Sequence, residues 1–285
     1  MRGSDSLSQA TEKRKSTLIK AIIKVAKSNP MSRDVRAFNQ FVEGYFNNVA
    51  LSDVTATSPA KLFYSVQAHW KLAMKREHRK AFVRIYNPSM KEDGWYCEHT
   101  VIEIINDDMP FLVDSITLEL NRLGFPPHLV LHPVINVLRS KSGKMEGISP
   151  ISKPSPRAVS ESFMHLQISK LANQQLVETN RAIHKVIKDV CFAVEDWAGM
   201  RATMSSIVEE LECQPKGTGT EDVAEAQEFL RWVHDDHFTF LGYREYEFVG
   251  KGKNFSVTIS KKIGLGILRT AKYLPTPSLN KQTPW

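Results

Sequence analysis

Residues whose side chains could do chemistry concentrate in two short segments of this sequence. In the first, residues 104–115 (IINDDMPFLVDS), the acidic pair Asp107–Asp108 lies between an apolar run and Pro110, which suits the first position of a helix. Neighbouring side chains point apart on an extended chain, which argues against a paired acid and base. Two interpretations stay open: a plain turn in which Asp108 caps the next helix, or a turn whose backbone N–H groups bind an anion.

The second segment, residues 232–244 (WVHDDHFTFLGYR), places two histidines and two aspartates within four positions. His234 and His237 would face one metal ion only if both were helical. The alternating aromatic residues from Phe238 onward instead indicate that a helix ends here and a strand begins. We therefore interpret this segment as a helix-to-strand junction and predict no metal site.

The bulk composition limits the classes of function. The 285 residues carry a net charge of +7, but the basic clusters are not interleaved with the aromatic residues that single-strand binders use for stacking. No run approaches the ~20 apolar residues of a membrane-spanning helix. Three widely spaced cysteines favour reduced thiols over a disulfide framework. We expect a cytoplasmic protein that binds neither membrane nor nucleic acid.

The elements that position these segments begin with helices. Apolar residues at helical spacing predict helices over residues 16–27, 33–48 and 58–77. The third has a clear start, because Ser58 is a favourable N-cap and Pro59 suits the first helical position.

The pattern then changes period, which predicts strands and helices in alternation. Gly124 is a natural C-cap for the helix that follows Pro110, whereas residues 140–158 form a polar linker. Gly199 is a candidate break in the last long helix. The predicted strands cover residues 80–87, 95–105, 128–139 with a proline interruption, and 161–170; the predicted helices cover residues 110–123 and 172–212.

Residues 95–190 thus follow the order β-α-β-β-α, which predicts an α+β fold with an antiparallel sheet packed against helices. This order resembles the ferredoxin-like sandwich called ACT, whose members bind small regulatory ligands such as amino acids. Its last strand is not obvious after the second helix. We expect the strand at 80–87 to occupy that edge.

Beyond the sandwich, a helix over residues 221–234 and a hairpin from strands 237–248 and 254–260 are predicted. Residues 270–285 lack periodicity, so we expect an incomplete second α+β (ACT-like) unit and a truncated or frame-shifted product. The predicted division is an N-terminal helical region (1–79), a first ACT-like domain (80–190), a helical connector (191–234) and the start of a second ACT-like domain (235–285).

Two motifs together resemble the N-terminal region of the large-type bacterial NAD-specific glutamate dehydrogenases. They are Asn-Asp-Asp-Met-Pro-Phe-Leu-Val-Asp-Ser, at 106–115, and Asp-Asp-His-Phe-Thr-Phe-Leu-Gly-Tyr-Arg, at 235–244. The strand VRIYNP at 83–88 and the run GLGILR at 264–269 also resemble segments of this family. The matches stretch over residues 80–269 in the family's order.

The resemblance implies an enzyme that oxidises L-glutamate to 2-oxoglutarate and ammonia with NAD. A dinucleotide site requires Gly-x-Gly-x-x-Gly, but Arg269, Asp222 and Phe255 stand where the third glycine of each candidate would be. We therefore assign no catalytic, cofactor-binding or metal-binding residue, and expect NAD only in the parent family and no glutamate turnover by this chain alone.

A regulatory ligand implied by the ACT resemblance would bind the turn. Asn106 and Asp107 would contact an amino-acid ammonium group, and N–H groups near Phe111 its carboxylate. The candidate ligand-binding residues are Asn106, Asp107, Asp108, Met109, Pro110, Phe111 and Asp114.

The prediction is an N-terminal regulatory and assembly fragment of a homo-oligomeric dehydrogenase. One alternative is a free-standing ACT-type amino-acid sensor, which shares the fold but needs a complete last domain. The other is a basic nucleic-acid-binding protein, whose affinity would fall steeply with salt.

Overall fold

The computed structural model of the protein describes residues 2–28, 35–47, 49, 54, 57–150, 154–212, 220–251, 254–260 and 264–269. The helices are α1 (Arg2–Ser28), α2 (Val35–Asn47), α3 (Pro59–Ala73), α4 (Leu112–Arg122), α5 (Asn173–Glu195), α6 (Trp197–Glu212) and α7 (Thr220–Trp232). The strands are β1 (Phe82–Tyr86), β2 (Thr100–Asp107), β3 (Leu129–Leu131), β4 (Val134–Arg139), β5 (Met145–Ile148), β6 (Ala158–Ile168), β7 (Gly242–Tyr243), β8 (Tyr246–Lys251), β9 (Asn254–Ile259) and β10 (Leu265–Gly266). None of these described helices is both long and apolar enough to cross a membrane.

The chain separates into two compact units, residues 1–187 and 188–285, and the division falls within α5. The finer division into residues 1–79, 80–190, 191–234 and 235–285 stays a prediction.

Two local signals act as the sequence predicts. Ser58 caps α3, because its hydroxyl accepts a hydrogen bond from the Lys61 N–H at 3.4 Å, and Pro59 is the first helical residue. At the end of α4, Gly124 adopts a left-handed φ of +82°. The Phe125 N–H donates back to the Leu120 carbonyl at 2.9 Å, which closes the helix in a glycine-dependent C-terminal turn.

The first unit is built on a six-stranded sheet of order β1-β2-β6-β4-β5, in which β3 also pairs with β6. All of these pairings are antiparallel. Strands β3 and β4 are two parts of the predicted 128–139 strand, and they pair with successive stretches of β6 on either side of Pro133. The predicted α+β fold with N-terminal helices and an ACT-type sheet is confirmed.

The edge strand β1 completes the ferredoxin-like order. It pairs antiparallel with β2 in the register Phe82↔Ile105 to Tyr86↔Val101. It therefore occupies the position that a strand after α5 would take, although it precedes the rest of the sandwich in the chain. The prediction that residues 80–87 supply this edge is confirmed.

One face of the sheet packs against the N-terminal helices in a single hydrophobic core. Cross-strand neighbours Ile105 and Phe163 are fully buried there, with Phe41 of α2 and Trp70 of α3. The ring centroid of Phe41 lies 5.1 Å from that of Trp70 and 5.2 Å from that of Phe163. Each fully buried side chain of this size contributes about 1.5–3 kcal/mol to folding, so helix and sheet stabilise one another.

Because side chains alternate along a strand, the other residues of β2 point to the opposite face of the sheet. On β2, Ile102 and Ile104 are fully buried and point away from the first core. Ile116 of α4 and Ile183 of α5 are also fully buried. These two helices are neighbours: the pKa of Glu119 on α4 is lowered by Arg122 and, more weakly, by Lys185 of α5.

Two strand predictions need correction. The strand predicted over 95–105 begins at Thr100, because β1 and β6 offer partners only from Tyr86↔Val101 and Ile168↔Thr100 onward. Residues 140–158 are not wholly a linker either. They contain β5, which pairs with β4 and buries Met145 against the first core.

In the second unit, the predicted hairpin is confirmed, but its first strand begins at Tyr246 instead of residue 237: β8 and β9 pair from Tyr246↔Ile259 to Lys251↔Asn254. The helical segment breaks at Asp196 rather than at Gly199. The Asp196 carboxylate accepts the Gly266 N–H at 2.7 Å and the Arg269 Nε at 2.9 Å, so this residue anchors the GLGILR run. Gly266 is required there, since φ is +59° and a Cβ would lie 2.2 Å from the Leu241 carbonyl oxygen. The predictions for residues 213–219 and 270–285 lie outside the described residues.

Candidate ligand-binding site

The predicted site residues surround the turn between β2 and α4, in the first unit. Strand β2 ends at Asp107, so Asn106 and Asp107 point to opposite faces of the sheet. Asn106 is buried, and its Nδ2 donates to the Sδ of Met109 at 3.8 Å. Asp107 accepts a hydrogen bond from the Arg76 guanidinium. The structure therefore does not bring these two side chains together.

The turn itself is made by residues 108–111. The Asp108 N–H donates to the Ser160 carbonyl oxygen at 2.9 Å, which fastens the turn to β6. Phe111 takes a left-handed φ of +67° and leaves its ring half exposed. The helix consequently begins at Leu112 instead of Pro110, and no side chain caps it. The prediction that Asp108 is the N-cap is wrong, because Phe111 moves the helix start out of its reach.

Four candidates are solvent-exposed: Asp108, Pro110, Phe111 and Asp114. Ser115 is the first residue of α4 whose N–H is taken by a turn carbonyl, that of Phe111, at 3.0 Å. The N–H groups of residues 112–114 therefore precede the helical hydrogen-bond ladder. Exposed carboxylates beside such N–H groups can bind a ligand that carries both signs of charge.

Two residues near this turn, His132 and Ser162, were not predicted from the sequence. His132 precedes the proline break between β3 and β4, and its Nε2 lies 2.6 Å from the hydroxyl of Ser162 on β6. Burial lowers the pKa of His132, while the neighbouring carboxylates of Asp108 and Asp114 raise it, with a net lowering. The position of His132 beside Pro133 was the available signal, since a strand interruption often marks a functional bend.

Asp107 belongs to a buried ion network, not to the exposed turn. Arg76 of the segment after α3 contacts both Asp107 and Glu161, and Arg139 contacts Glu161 through its Nη2 at 2.6 Å. The side chains of Arg76, Arg139 and Glu161 are 2%, 7% and 0% exposed. The network ties the last turn of β2 to the end of α3, so Asp107 has a structural role.

The second chemistry-bearing segment adopts a single π-helical turn, Val233–His237. The Nε2 of His234 lies 3.2 Å from the Ser205 hydroxyl, whereas the His237 ring stacks on Trp232 with centroids 4.6 Å apart. The two imidazoles thus have different surroundings. Within the described part of the chain, no group of three or more His, Cys, Asp or Glu side chains is arranged to hold a metal ion.

Comparison with known proteins adds to this geometry. Residues 41–183, about half of the chain, match the family described as "Glutamate dehydrogenase, ACT1 domain". The matched range contains the whole sheet of the first unit and the candidate turn.

Three curated relatives share the name "NAD-specific glutamate dehydrogenase". The chain is 31% identical over 230 residues to that of Pseudomonas aeruginosa, which is 80% of this chain and 14% of the relative. It is 34% identical over 210 residues to that of Halomonas elongata, covering 73% and 13%. It is 29% identical over 204 residues to that of Mycobacterium tuberculosis, covering 71% and 12%. The chain therefore matches only about one-seventh of the length of these relatives.

Proposed function

Because the chain belongs to the glutamate dehydrogenase family through its ACT1 domain, we propose that it is the N-terminal regulatory and assembly part of an NAD-dependent glutamate dehydrogenase. The observation that carries the proposal is the overlap of the family match, residues 41–183, with the sheet and its candidate turn. The parent protein converts L-glutamate and NAD to 2-oxoglutarate, ammonia and NADH. The chain matches only a small share of its relatives' length, which supports a catalytic site in another part of the parent protein.

The first test is catalytic. The purified chain, incubated with L-glutamate and NAD, is expected to form no NADH, because no dinucleotide fingerprint stands in its sequence. The NADH absorbance checks this against an active glutamate dehydrogenase as positive control. Sustained, glutamate-dependent NADH formation by the pure chain would overturn the assignment of a non-catalytic role.

The regulatory ligand in this proposal is an amino acid at the β2–α4 turn. Its carboxylate accepts hydrogen bonds from the N–H groups of residues 112–114, where the helix dipole also favours negative charge. Its ammonium group lies between the carboxylates of Asp108 and Asp114, whose electrostatic influence on His132 supports their proximity. Asp107 is left out of direct contact because Arg76 already neutralises it.

The turn is tested by amide NMR during titration with single amino acids. Binding there is expected to shift the backbone N–H resonances of Phe111 and Asp114 in a saturable way. Asp114→Asn should weaken the affinity by about tenfold, the usual cost of losing one charge-assisted hydrogen bond. Asp235→Asn, an exposed change in the other unit, is the matched control and should leave the affinity unchanged. Unchanged turn resonances with every amino acid would refute this site.

Self-association and location are part of the same proposal. Strands β1 and β5 are edge strands of the first unit's sheet, and edge strands offer main-chain groups that a second copy can pair with. Light scattering coupled to size exclusion is expected to give a homo-oligomer, whereas a monomer at all concentrations would contradict this. Cys97 and Cys191 form no disulfide bond within the described residues, which fits the reducing cytoplasm that we propose as the location, and cell fractionation checks this.

A further inference from the structure

The exposed side of α1 carries a stripe of lysines. Lys20, Lys24 and Lys27 follow one another at steps of four and three residues, which places them within about 60° on one side of the helix. All three are solvent-exposed and form no ion pair with another described residue. No acidic residue lies between Lys13 and Ser28 in the sequence. This lysine stripe is therefore a positive surface without an acidic neighbour in this part of its own helix.

The apolar side of the same helix is already buried. Ile22 is fully buried, and Leu18, Ile19 and Ile23 pack against the first core. A basic helix that binds a membrane inserts its apolar side into the lipid, and proteins that bind single-stranded nucleic acid add aromatic rings for stacking. The lysine stripe offers neither a free apolar side nor rings. A protein surface that carries carboxylates is the partner that fits it.

The exposed side of α7 has the opposite charge. Glu225 and Glu228 are solvent-exposed, and Trp232, the last residue of the helix, is 46% exposed. Steps of three and four residues place these side chains within about 60° on one side of α7. The two carboxylates form no ion pair with another described residue. They are therefore available to a cationic partner.

Aromatic rings extend this surface beyond the helix. Phe229 stacks on Trp232 with ring centroids 6.2 Å apart, and His237 stacks on it at 4.6 Å. Phe238 lies edge-on to Trp232, with centroids 5.5 Å apart, and is 57% exposed. Grouped exposed rings mark an interaction surface, and aromatic rings attract ammonium groups. The residues of this acidic aromatic surface are Glu225, Glu228, Phe229, Trp232 and Phe238.

The two surfaces match in spacing as well as in charge. Each set of three side chains covers seven residues, which is about 10.5 Å along the helix axis. When the two helices lie antiparallel, the steps of four and three in α1 coincide with those in α7. Two ion pairs and one cation–π contact can then form together. The pairs are Lys27 with Glu225, Lys24 with Glu228, and Lys20 with Trp232.

We infer that α1 of one copy of the chain docks on α7 of a second copy, through the lysine stripe and the acidic aromatic surface. The inference rests on the proposed self-association and names the surfaces that carry it. It differs from pairing of the edge strands β1 and β5 in a measurable way. Contacts between exposed charges weaken as salt is added, because ions screen them.

The test is the mass of the whole chain in solution, measured by sedimentation equilibrium over a range of protein concentrations at low and high ionic strength. The unaltered chain is expected to self-associate at low ionic strength, and at least about tenfold more weakly at high ionic strength. Lys24→Glu and Glu228→Lys should each weaken the association at low ionic strength by at least about tenfold, because each change places like charges opposite one another.

A mixture of these two variants gives the most specific result. In the mixture, the reversed position 24 of one chain faces the reversed position 228 of the other, so attraction returns between unlike chains only. A mixed assembly should form with the affinity of the unaltered chain, and its formation also shows that both variants are folded. The matched controls reverse exposed charges elsewhere: Arg14→Glu, on another side of α1, and Glu209→Lys, on α6. They should leave the association unchanged.

Three sedimentation results would overturn the inference: association that salt and both reversals leave unchanged, a mixture that stays dissociated, or controls that weaken association as much as Lys24→Glu does. The first would retain the proposed self-association and assign it to other surfaces. A chain that is monomeric at all concentrations would reject the self-association and the inference together. Binding to phosphatidylserine vesicles that Lys24→Glu abolishes, with no change in the mass of the free chain, would assign the stripe to lipid instead.

Discussion

The carboxylate of Glu161 lies at the centre of a buried ion network in the first unit. It is fully buried and accepts from the Nη2 of Arg76 at 2.8 Å and from the Nη2 of Arg139 at 2.6 Å. Arg139 also donates to the Ala73 carbonyl oxygen at the end of α3, at 2.9 Å. One carboxylate thus holds α3 to two strands.

The change Glu161→Gln retains the side chain's shape but removes its charge. Arg76 is then left with Asp107, whose side chain is 27% exposed, as its anionic partner, and Arg139 is left with the carbonyl oxygens of Ala73 and Gly143. Breaking a buried ion pair in this way costs about 3–5 kcal/mol. In a unit of 187 residues this corresponds to a fall in Tm of roughly 9–15 °C, at about 3 °C per kcal/mol.

Circular dichroism of thermal unfolding measures this effect. The matched control is Glu146→Gln, since Glu146 also pairs with an arginine, Arg157, at 3.0 Å. These two side chains are 44% and 74% exposed, so the control should lower stability by no more than about 1 kcal/mol. If Glu161→Gln and Glu146→Gln had equal Tm values, the buried network would have no special stabilising role and the reasoning would be refuted.

Three further changes test other parts of the fold. Burial raises the pKa of Glu103 from 4.5 to about 8, so the folded state holds this proton more tightly and loses stability as pH rises from about 4.5 to 8. Urea unfolding of Glu103→Gln should therefore show a stability gain over the native chain that grows across this range; a constant difference would contradict the assignment. Gly124→Ala should cost about 1–2 kcal/mol in urea unfolding, because of its φ of +82°, whereas Gly147→Ala, whose Cβ would meet only Leu138 Cδ1 at 3.9 Å, should change little. Ser58→Ala should cost about 1 kcal/mol in thermal unfolding through loss of the α3 cap, and Ser58→Asn should retain it.

Much of the fold was predictable because its signals are local. Hydrophobic periodicity gave the order of strands and helices in the first unit, and the start of α3 and the end of α4 follow from the residue types at Ser58, Pro59 and Gly124. The position of β1 at the sheet edge followed from topology, since the ferredoxin-like order lacked one strand. Strand ends were less certain, because they depend on where a neighbouring strand stops.

The candidate site was only partly predictable, because its geometry depends on contacts distant in sequence. Nothing local indicates that Phe111 adopts a left-handed backbone or that Arg76 takes up Asp107. The prediction that Asp107 and Asp108 do not form an acid–base pair is consistent with the structure, because Asp107 contacts Arg76 whereas Asp108 is solvent-exposed. His132 was missed because a single histidine beside a proline carries little information until β3, β4 and β6 are paired.

The central claim is that this chain carries a regulatory amino-acid site at the β2–α4 turn. Calorimetric titration of the chain with each of the twenty amino acids tests it most directly. The account predicts saturable heat with at least one amino acid, weakened by about tenfold when Asp114→Asn is added. Absence of heat with all twenty, or heat that Asp114→Asn leaves unchanged, would contradict it.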